Sequence, residues 1–164
     1  MWEILKQKRN SKILIIGIGN ELRGDDGFAP QLIKRLERKV HPAYNLCARV
    51  KVDLLDCGDV PENFTGKIID INPDTLILLD ALDFGEKPGE IGLFRPSELK
   101  EKGFVSTHGM SLHLFLDYII GHIKPEVLIL GVQPKQLEFG SGLSDEVKEA
   151  IDILEKELCS SLAI

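Results

Sequence analysis

The sequence is poor in cysteine, and its three cysteines are not clustered. Cys47, Cys57 and Cys159 form no CxxC pair and cannot all pair within one chain. This argues against a disulfide scaffold or a structural zinc site and favours a reducing compartment. The sequence also lacks an N-terminal apolar core of the signal-peptide type, and no apolar stretch approaches the ~20 residues of a membrane span. We therefore predict a cytoplasmic protein without membrane insertion.

An excess of basic residues is also missing, because the formal net charge is −6. Sequence-independent nucleic-acid binding needs a basic surface, so we predict no nucleic-acid partner. The sequence shows no repeat and no linker rich in proline or glycine. Its 164 residues suit one compact domain with a real core. We predict a single domain over residues 1–164, in which residues 1–11 form an N-terminal extension that packs through Trp2 and Leu5.

Continuous apolar runs predict three strands that are buried on both faces of a largely parallel sheet, and residues 50–56 are predicted as a further strand. Helical spacing of apolar residues predicts amphipathic helices between them. A short segment after the Pro88-Gly89 turn predicts an antiparallel edge strand. The expected fold is α/β, a three-layer α/β/α sandwich around a mostly parallel, twisted sheet of about five strands. The predicted strands are 12–18, 50–56, 75–79, 90–95 and 126–132, and the predicted helices are 26–39, 110–123 and 144–158.

In such sheets, functional residues gather where parallel strands end. The loop over residues 17–27 begins like a G-x-G-x-x-G dinucleotide fingerprint, and Asp56 supplies an acid at the end of the next strand. However, Leu22 replaces the third glycine. The helix start also carries Asp25 and Asp26, where a pyrophosphate would have to bind. Two carboxylates repel a phosphate and favour a cation there.

Each of the two aspartates also has a structural interpretation. One could cap the helix while the other interacts with its dipole, and Asp25 is the candidate cap. Asp80 directly follows four apolar residues at the predicted end of a strand, where a carboxylate needs a partner, hydrogen bonds or a cation. Asp83 is interpreted as a turn residue. Asp26 and Asp80 are therefore the candidate metal ligands, provided that the fold brings their side chains together.

The four histidines differ in their context. His41 lies in a predicted loop and His122 at the end of a predicted helix, and both are expected to be solvated, whereas His113 fits a packed helical position. His108 lies just before a helix, where a loop can direct its imidazole into a cleft. With Asp26 and Asp80 it makes a set of two carboxylates and one imidazole, which suits zinc, nickel or a related divalent metal.

These motifs together resemble the [NiFe]-hydrogenase maturation endopeptidases. They are most similar to the subgroup that serves formate-hydrogenlyase-type, membrane-associated hydrogenases. The resemblance covers most of the chain from residue 12 to about 157. No single motif is specific, but their combination and order are. The matching segments are Gly17-Ile18-Gly19-Asn20, Gly24-Asp25-Asp26-Gly27, Gly58-Asp59-Val60-Pro61-Glu62-Asn63, Asp80-Ala81-Leu82-Asp83, Pro88-Gly89-Glu90-Ile91, Ser106-Thr107-His108 and Gly131-Val132-Gln133-Pro134.

The resemblance implies a catalytic and metal-binding set of Asp26, Asp80 and His108. It implies removal of a C-terminal extension from the hydrogenase large-subunit precursor, once that protein partner carries nickel. Nickel is then brought by the substrate, although zinc could occupy the same ligands, and we expect the chain to act as a monomer. Hydrolysis would be nickel-assisted or of the aspartic type, while Cys57 has no histidine predicted beside it to activate it. The alternatives are a non-catalytic nickel-sensing chaperone and a dinucleotide-binding Rossmann-like enzyme.

Overall fold

The structure is a computed structural model that describes residues 1–8, 11–40 and 51–164. The predictions for His41, for Cys47 and for Val50 as the first residue of the second strand lie outside these residues. Within them, the predicted strands and helices are present, and the helices Thr65–Ile71 and Pro96–Lys102 are additional. The strands are β1 Lys12–Gly17, β2 Lys51–Asp56, β3 Thr75–Asp83, β4 Ile91–Phe94, β5 Val105–Ser106 and β6 Glu126–Val132. The helices are α1 Trp2–Lys6, α2 Phe28–Glu37, α3 Thr65–Ile71, α4 Pro96–Lys102, α5 Gly109–Ile123 and α6 Asp145–Leu162, with 3-10 turns at Gly24–Gly27 and Pro61–Phe64.

The strands form a six-stranded, mostly parallel sheet with an antiparallel edge. The order is β2-β1-β3-β6-β4, and β5 pairs with the end of β3 outside this path. Strands β2, β1, β3 and β6 are parallel neighbours, whereas β4 runs antiparallel to β6. The predicted fold class and edge strand are thus confirmed. The two-residue strand β5 is additional, and it is too short for a hydrophobic pattern to reveal.

Two hydrophobic layers cover the two faces of the sheet. Alternate residues of β1 point to opposite faces, so that Ile13 and Ile15 join one cluster while Leu14 and Ile16 join the other. Helices α1, α2 and α6 pack on the first face, and α3, α4 and α5 pack on the second. Because both faces are covered, the central strands are apolar throughout rather than alternating.

Helix α1 is the predicted N-terminal extension. Leu5 is fully buried in the first cluster and Trp2 packs against it, as predicted. Burying one leucine side chain contributes about 2 kcal/mol. None of the helices in the described ranges combines the length and apolarity that a membrane crossing requires.

The predicted end of the third strand is wrong. Strand β3 continues past Asp80 to Asp83, because β6 pairs with it through Ala81 and β5 then pairs with Leu82 and Asp83. Asp80 therefore lies inside a paired strand rather than at its tip. Asp83 is the last strand residue, and its Oδ1 also accepts a hydrogen bond from the Gly85 amide in the turn that follows. The extension of β3 gives Asp80 a rigid backbone.

Helix α6 starts where the sequence predicts. Ser144 is its N-cap, and the Ser144 hydroxyl accepts a hydrogen bond from the Val147 amide at 3.4 Å. The helix continues to Leu162, beyond the predicted end near residue 158. Its start lies after β6, at the same carboxyl edge of the sheet as the candidate site.

Candidate metal centre

Two carboxylates and one imidazole converge at the carboxyl edge of the sheet. Asp26 lies in the 3-10 turn after β1, Asp80 lies within β3, and His108 immediately precedes α5. One ligand atom from each lies within 4.8 Å of the other two. His108 Nε2 is 3.5 Å from Asp26 Oδ1 and 3.7 Å from Asp80 Oδ1. The fold thus brings together all three residues that the sequence nominated as ligands.

The three side chains are withdrawn from solvent. Asp26 is 1% exposed, Asp80 is fully buried, and the His108 side chain is 7% exposed. A buried carboxylate is costly unless it is paired, hydrogen-bonded or bound to a cation. The cluster therefore needs compensating contacts, and these differ between the two acids.

Asp80 is held by the hydroxyl groups of the segment that leads to α5. The Ser106 hydroxyl donates a short hydrogen bond to Asp80 Oδ2, and the Thr107 hydroxyl donates to Oδ1 at 3.3 Å. Ser106 Oγ in turn accepts a hydrogen bond from the His108 amide at 3.0 Å. Pairing of β5 with β3 sets this arrangement. Ser106 and Thr107 belong to a motif that the sequence shows, but their contacts with Asp80 were not predicted, because the two segments are far apart in the chain.

Asp26 is only partly satisfied. Its Oδ2 accepts a hydrogen bond from the Asn20 amide at 2.9 Å. Its Oδ1 is buried and makes no well-formed hydrogen bond to any residue in the described part of the chain. Ligand atoms about 2.1 Å from one divalent ion lie roughly 3–3.5 Å apart. The two distances from His108 are close to that spacing, so the donor set fits a small divalent cation.

Burial and mutual charge shift the three pKa values in different directions. Burial raises the pKa of Asp80 to about 7, although His108 and Ser106 act against it. Burial also opposes ionisation of Asp26, but the polar contacts of its carboxylate with His108 and Thr107 outweigh burial and lower the pKa of Asp26. At His108 burial is outweighed by the two carboxylates, so its pKa is raised. A metal ion that binds here must displace the imidazole proton.

Asp25 does not cap α2, contrary to the structural interpretation of the aspartate pair. The N-cap of α2 is Gly27, and both aspartates precede it in the 3-10 turn. Asp25 is fully buried and accepts hydrogen bonds from the Lys135, Gln136 and Ser144 segment. Because a 3-10 turn has about three residues per turn, neighbouring side chains point about 120° apart. Of the two aspartates, Asp26 therefore faces Asp80 and His108.

A solvent-open cleft of about 340 Å³ adjoins the loop that leads from β1 to Asp26. Asn20, whose amide binds Asp26, contributes to its wall. Two large apolar side chains are exposed on neighbouring loops, Leu22 at 59% and Phe139 at 77%. The Gly140 amide donates to the Leu22 carbonyl at 2.8 Å and joins these loops. The cleft is lined by Gly19, Asn20, Glu21, Leu22, Pro30, Asp56, Gly58 and Asp59.

The other cysteine and histidine side chains within the described residues lie outside the cluster. Cys57 is buried, and its burial raises the pKa of the thiol to about 12. A thiol of this kind is a poor nucleophile at neutral pH, which supports the argument against a cysteine mechanism. His122 is exposed and packs against Tyr118, as expected for a solvated histidine, whereas His113 is half-buried in α5.

Comparison with known proteins identifies the family. A family model described as hydrogenase maturation protease, HycI, matches residues 30–161. A putative hydrogenase maturation protease of Methanocaldococcus jannaschii is 33% identical over 149 residues, which are 91% of this chain and 87% of the relative. The hydrogenase 3 maturation protease of Escherichia coli is 30% identical over 145 residues, 88% of this chain and 87% of the relative.

Solved structures agree with these sequence matches. The [NiFe] hydrogenase maturation protease HycI of Thermococcus kodakarensis superposes with a TM-score of 0.83 at 30% identity, covering 98% of this chain and 99% of that one. HybD of Escherichia coli, a hydrogenase maturating endopeptidase, gives a TM-score of 0.74 at 26% identity, with 93% and 92% covered. The fold is therefore that of a class of maturation peptidases. This chain belongs to the hydrogenase maturation protease family.

Proposed function

We propose that this protein is the endopeptidase that removes the C-terminal extension of a [NiFe]-hydrogenase large-subunit precursor after nickel insertion. Asp26, Asp80 and His108 would recognise the nickel that the precursor carries. The observation that supports this most strongly is the buried cluster of two carboxylates and one imidazole, in which Asp26 Oδ1 lacks a well-formed hydrogen bond within the described residues. A bound cation would satisfy that oxygen.

The donor set is compatible with nickel as part of the substrate. Carboxylate oxygen and neutral imidazole suit nickel, and they suit zinc as well. Three protein ligands leave further coordination positions open for groups of the precursor. Ligands arranged in this way can bind to a metal ion that is already coordinated by a partner protein. This binding would make cleavage conditional on nickel insertion.

Two chemical routes are compatible with these residues. In the first, nickel polarises the scissile carbonyl or an attacking water as a Lewis acid. In the second, Asp26 takes a proton from water as the oxygen bonds to the carbonyl carbon, and Asp80 gives a proton to the leaving amine as the amide bond breaks. The opposite pKa shifts of Asp26 and Asp80 support that division of roles.

The surface around the cluster supports a protein substrate. The cleft is open to solvent, and exposed Leu22 and Phe139 lie on loops that adjoin the metal centre. Exposed apolar side chains next to a reactive site are typical of surfaces that contact another protein. In this proposal the chain acts in the cytoplasm as a monomer, and one protomer supplies all three ligands.

Incubation with nickel-loaded and nickel-free precursor tests the proposal, with mass spectrometry of the precursor C-terminus as the measurement. We expect a shortened C-terminus only with the nickel-loaded form. The variant Asp26→Asn should leave the precursor uncut while its circular dichroism stays native. Asp152→Asn, on the exposed face of α6, is the matched control and should cleave normally.

Two other outcomes would replace the proposal. A precursor that is bound in a nickel-dependent manner but stays uncut would identify a nickel-sensing chaperone. Stabilisation of the protein by a dinucleotide, without any by nickel, would favour the Rossmann-like enzyme instead. Cleavage by Asp26→Asn at the normal rate would remove Asp26 from the site.

A further inference from the structure

Asp25 is as deeply buried as the metal-centre acids, yet it points away from them. We propose that Asp25 is a positioning residue for Asp26: its carboxylate fixes the 3-10 turn on the segment that joins β6 to α6, and so holds the Asp26 carboxylate against Asp80 and His108. The inference rests on the proposed function in taking Asp26 as the residue that meets the precursor's nickel.

Four hydrogen bonds converge on the Asp25 carboxylate, and we call this set the Asp25 clasp. Oδ1 accepts from the Ser144 amide at 2.7 Å. Oδ2 accepts from the Lys135 amide at 2.8 Å, the Gln136 amide at 3.0 Å and the Ser144 hydroxyl at 3.0 Å. In return, the Asp25 amide donates to the Gln136 carbonyl at 2.8 Å. Hydrogen bonds to an ionised carboxylate are roughly twice as strong as neutral ones, so the clasp is a strong attachment.

The turn also touches this segment on either side of Asp25. Gly24 has a φ of +54°, and a Cβ there would lie 2.5 Å from the Gln136 carbonyl oxygen. The Leu22 carbonyl accepts the hydrogen bond from Gly140. Residues 22–25 therefore run directly against the loop before α6, and only the clasp among these contacts carries a charge.

The position of the turn passes directly to Asp26. The two residues share a peptide bond, and their side chains diverge within one 3-10 turn. On the other side, a Cβ at Gly19 would lie 2.0 Å from the Asp26 carbonyl oxygen, so the backbone there is in tight contact with the end of β1. Asp26 is thus held between β1 and the clasp. Releasing the clasp leaves one of the two supports.

The isosteric variant Asp25→Asn tests the clasp most sharply. It keeps the shape of the side chain but puts an NH₂ group where one oxygen now meets N–H donors, because every partner of Asp25 donates. Leu158→Ala is the matched control. Leu158 is fully buried near the far end of α6, and its truncation destabilises the fold without touching the clasp.

Two measurements distinguish a displaced Asp26 carboxylate from a general loss of protein stability. The Asn20 amide donates to Asp26 Oδ2, so its proton chemical shift and hydrogen exchange report where that carboxylate lies. In Asp25→Asn we expect an upfield shift and faster exchange of this amide. We also expect kcat for nickel-loaded precursor to fall by about 10²-fold with little change in KM, because a displacement of about 1 Å can cost that much. Leu158→Ala should retain the wild-type amide signal and kcat at a temperature where both variants are folded.

A native Asn20 signal together with normal kcat in Asp25→Asn would overturn the inference. An equal fall of kcat in Leu158→Ala would do the same, because the effect would then follow stability alone. If the wild-type protein does not cleave nickel-loaded precursor, the proposed function fails. The Asn20 signal in the metal-free variants then still decides whether Asp25 positions Asp26.

Discussion

Asp25 and Asp26 are adjacent and equally buried, but their carboxylates have opposite surroundings. Asp25 is surrounded by donors and uses both oxygens, in four hydrogen bonds. Asp26 has one oxygen bound to the Asn20 amide and another that faces His108 at 3.5 Å. A carboxylate whose two oxygens both accept hydrogen bonds has no free oxygen for a ligand. A buried carboxylate with an oxygen that lacks a hydrogen bond is stabilised by a cation. Hydrogen-bond saturation, rather than burial, distinguishes the structural acid from the candidate ligand.

The largest loss of activity should come from removing a side chain that contacts Asp26. We expect His108→Ala to reduce precursor cleavage by about 10³-fold, equivalent to about 4 kcal/mol in activation free energy, because one metal contact and one counter-charge disappear. Single-turnover cleavage assays measure this. His113→Ala on α5 is the control, and equal losses in both variants would contradict a specific role for His108.

The variant Asp25→Ala should lower the free energy of unfolding by about 3 kcal/mol, because three backbone amide donors lose their acceptor. Asp26→Ala should change it by less than about 1 kcal/mol, since the loss of the acceptor for the Asn20 amide is offset by the removal of a carboxylate close to Asp80. Urea denaturation of both metal-free variants provides the comparison. Similar losses in the two would remove the distinction between the acids.

The pH dependence of stability should differ between the contributions of Asp26 and Asp80. The pKa of Asp80 is raised from 3.8 to about 7, so the folded state binds the extra proton between these values. Its contribution is complete below about pH 4 and is lost as the pH rises to about 7. Asp26 has a lowered pKa, so its contribution is lost instead below about pH 4. Denaturation with a chelator present should show that Asp80→Asn flattens the profile between pH 4 and 7, and an unchanged profile would contradict this.

Ser106→Ala tests the support of Asp80. The hydroxyl donates to the Asp80 carboxylate and accepts from the His108 amide. We expect a loss of about 1.5 kcal/mol in stability and about a tenfold fall in cleavage, because the carboxylate loses its closest donor. Ser97→Ala, at the exposed start of α4, is the control. Thermal unfolding and cleavage assays would show equal behaviour of the two variants if Ser106 had no such role.

The smallest effect is expected for a side chain whose backbone alone serves the clasp. Lys135 donates to Asp25 through its amide, while its exposed ammonium group pairs with Glu146 at 2.7 Å. Lys135→Ala should therefore change the free energy of unfolding by less than about 0.5 kcal/mol. A loss comparable to that of Asp25→Ala in urea denaturation would show that the clasp depends on more than the backbone donors.

The sequence predicts the sheet and the convergence of Asp26, Asp80 and His108, because apolar runs mark buried strands and parallel strands end at one edge. It does not predict the role of Asp25, because a capping aspartate and a buried anchor have the same local sequence. The donors to Asp25 are backbone amides of distant residues, which carry no sequence signal. Strand β5 is missed for a related reason: two residues have no measurable periodicity, and its pairing with β3 extends that strand to Asp83.

The hydrogen bond between Asp25 and the Ser144 amide spans 119 residues of sequence. Closing so long a loop costs chain entropy, which becomes tolerable only after the intervening strands and helices have formed. The 3-10 turn that carries Asp25 and Asp26 therefore reaches its final geometry only when the whole domain has folded. During synthesis, before residue 144 has left the ribosome, we expect the side chains of Asp25 and Asp26 not yet to have their final positions. Competence for processing would then arise in one step with the docking of the last helix.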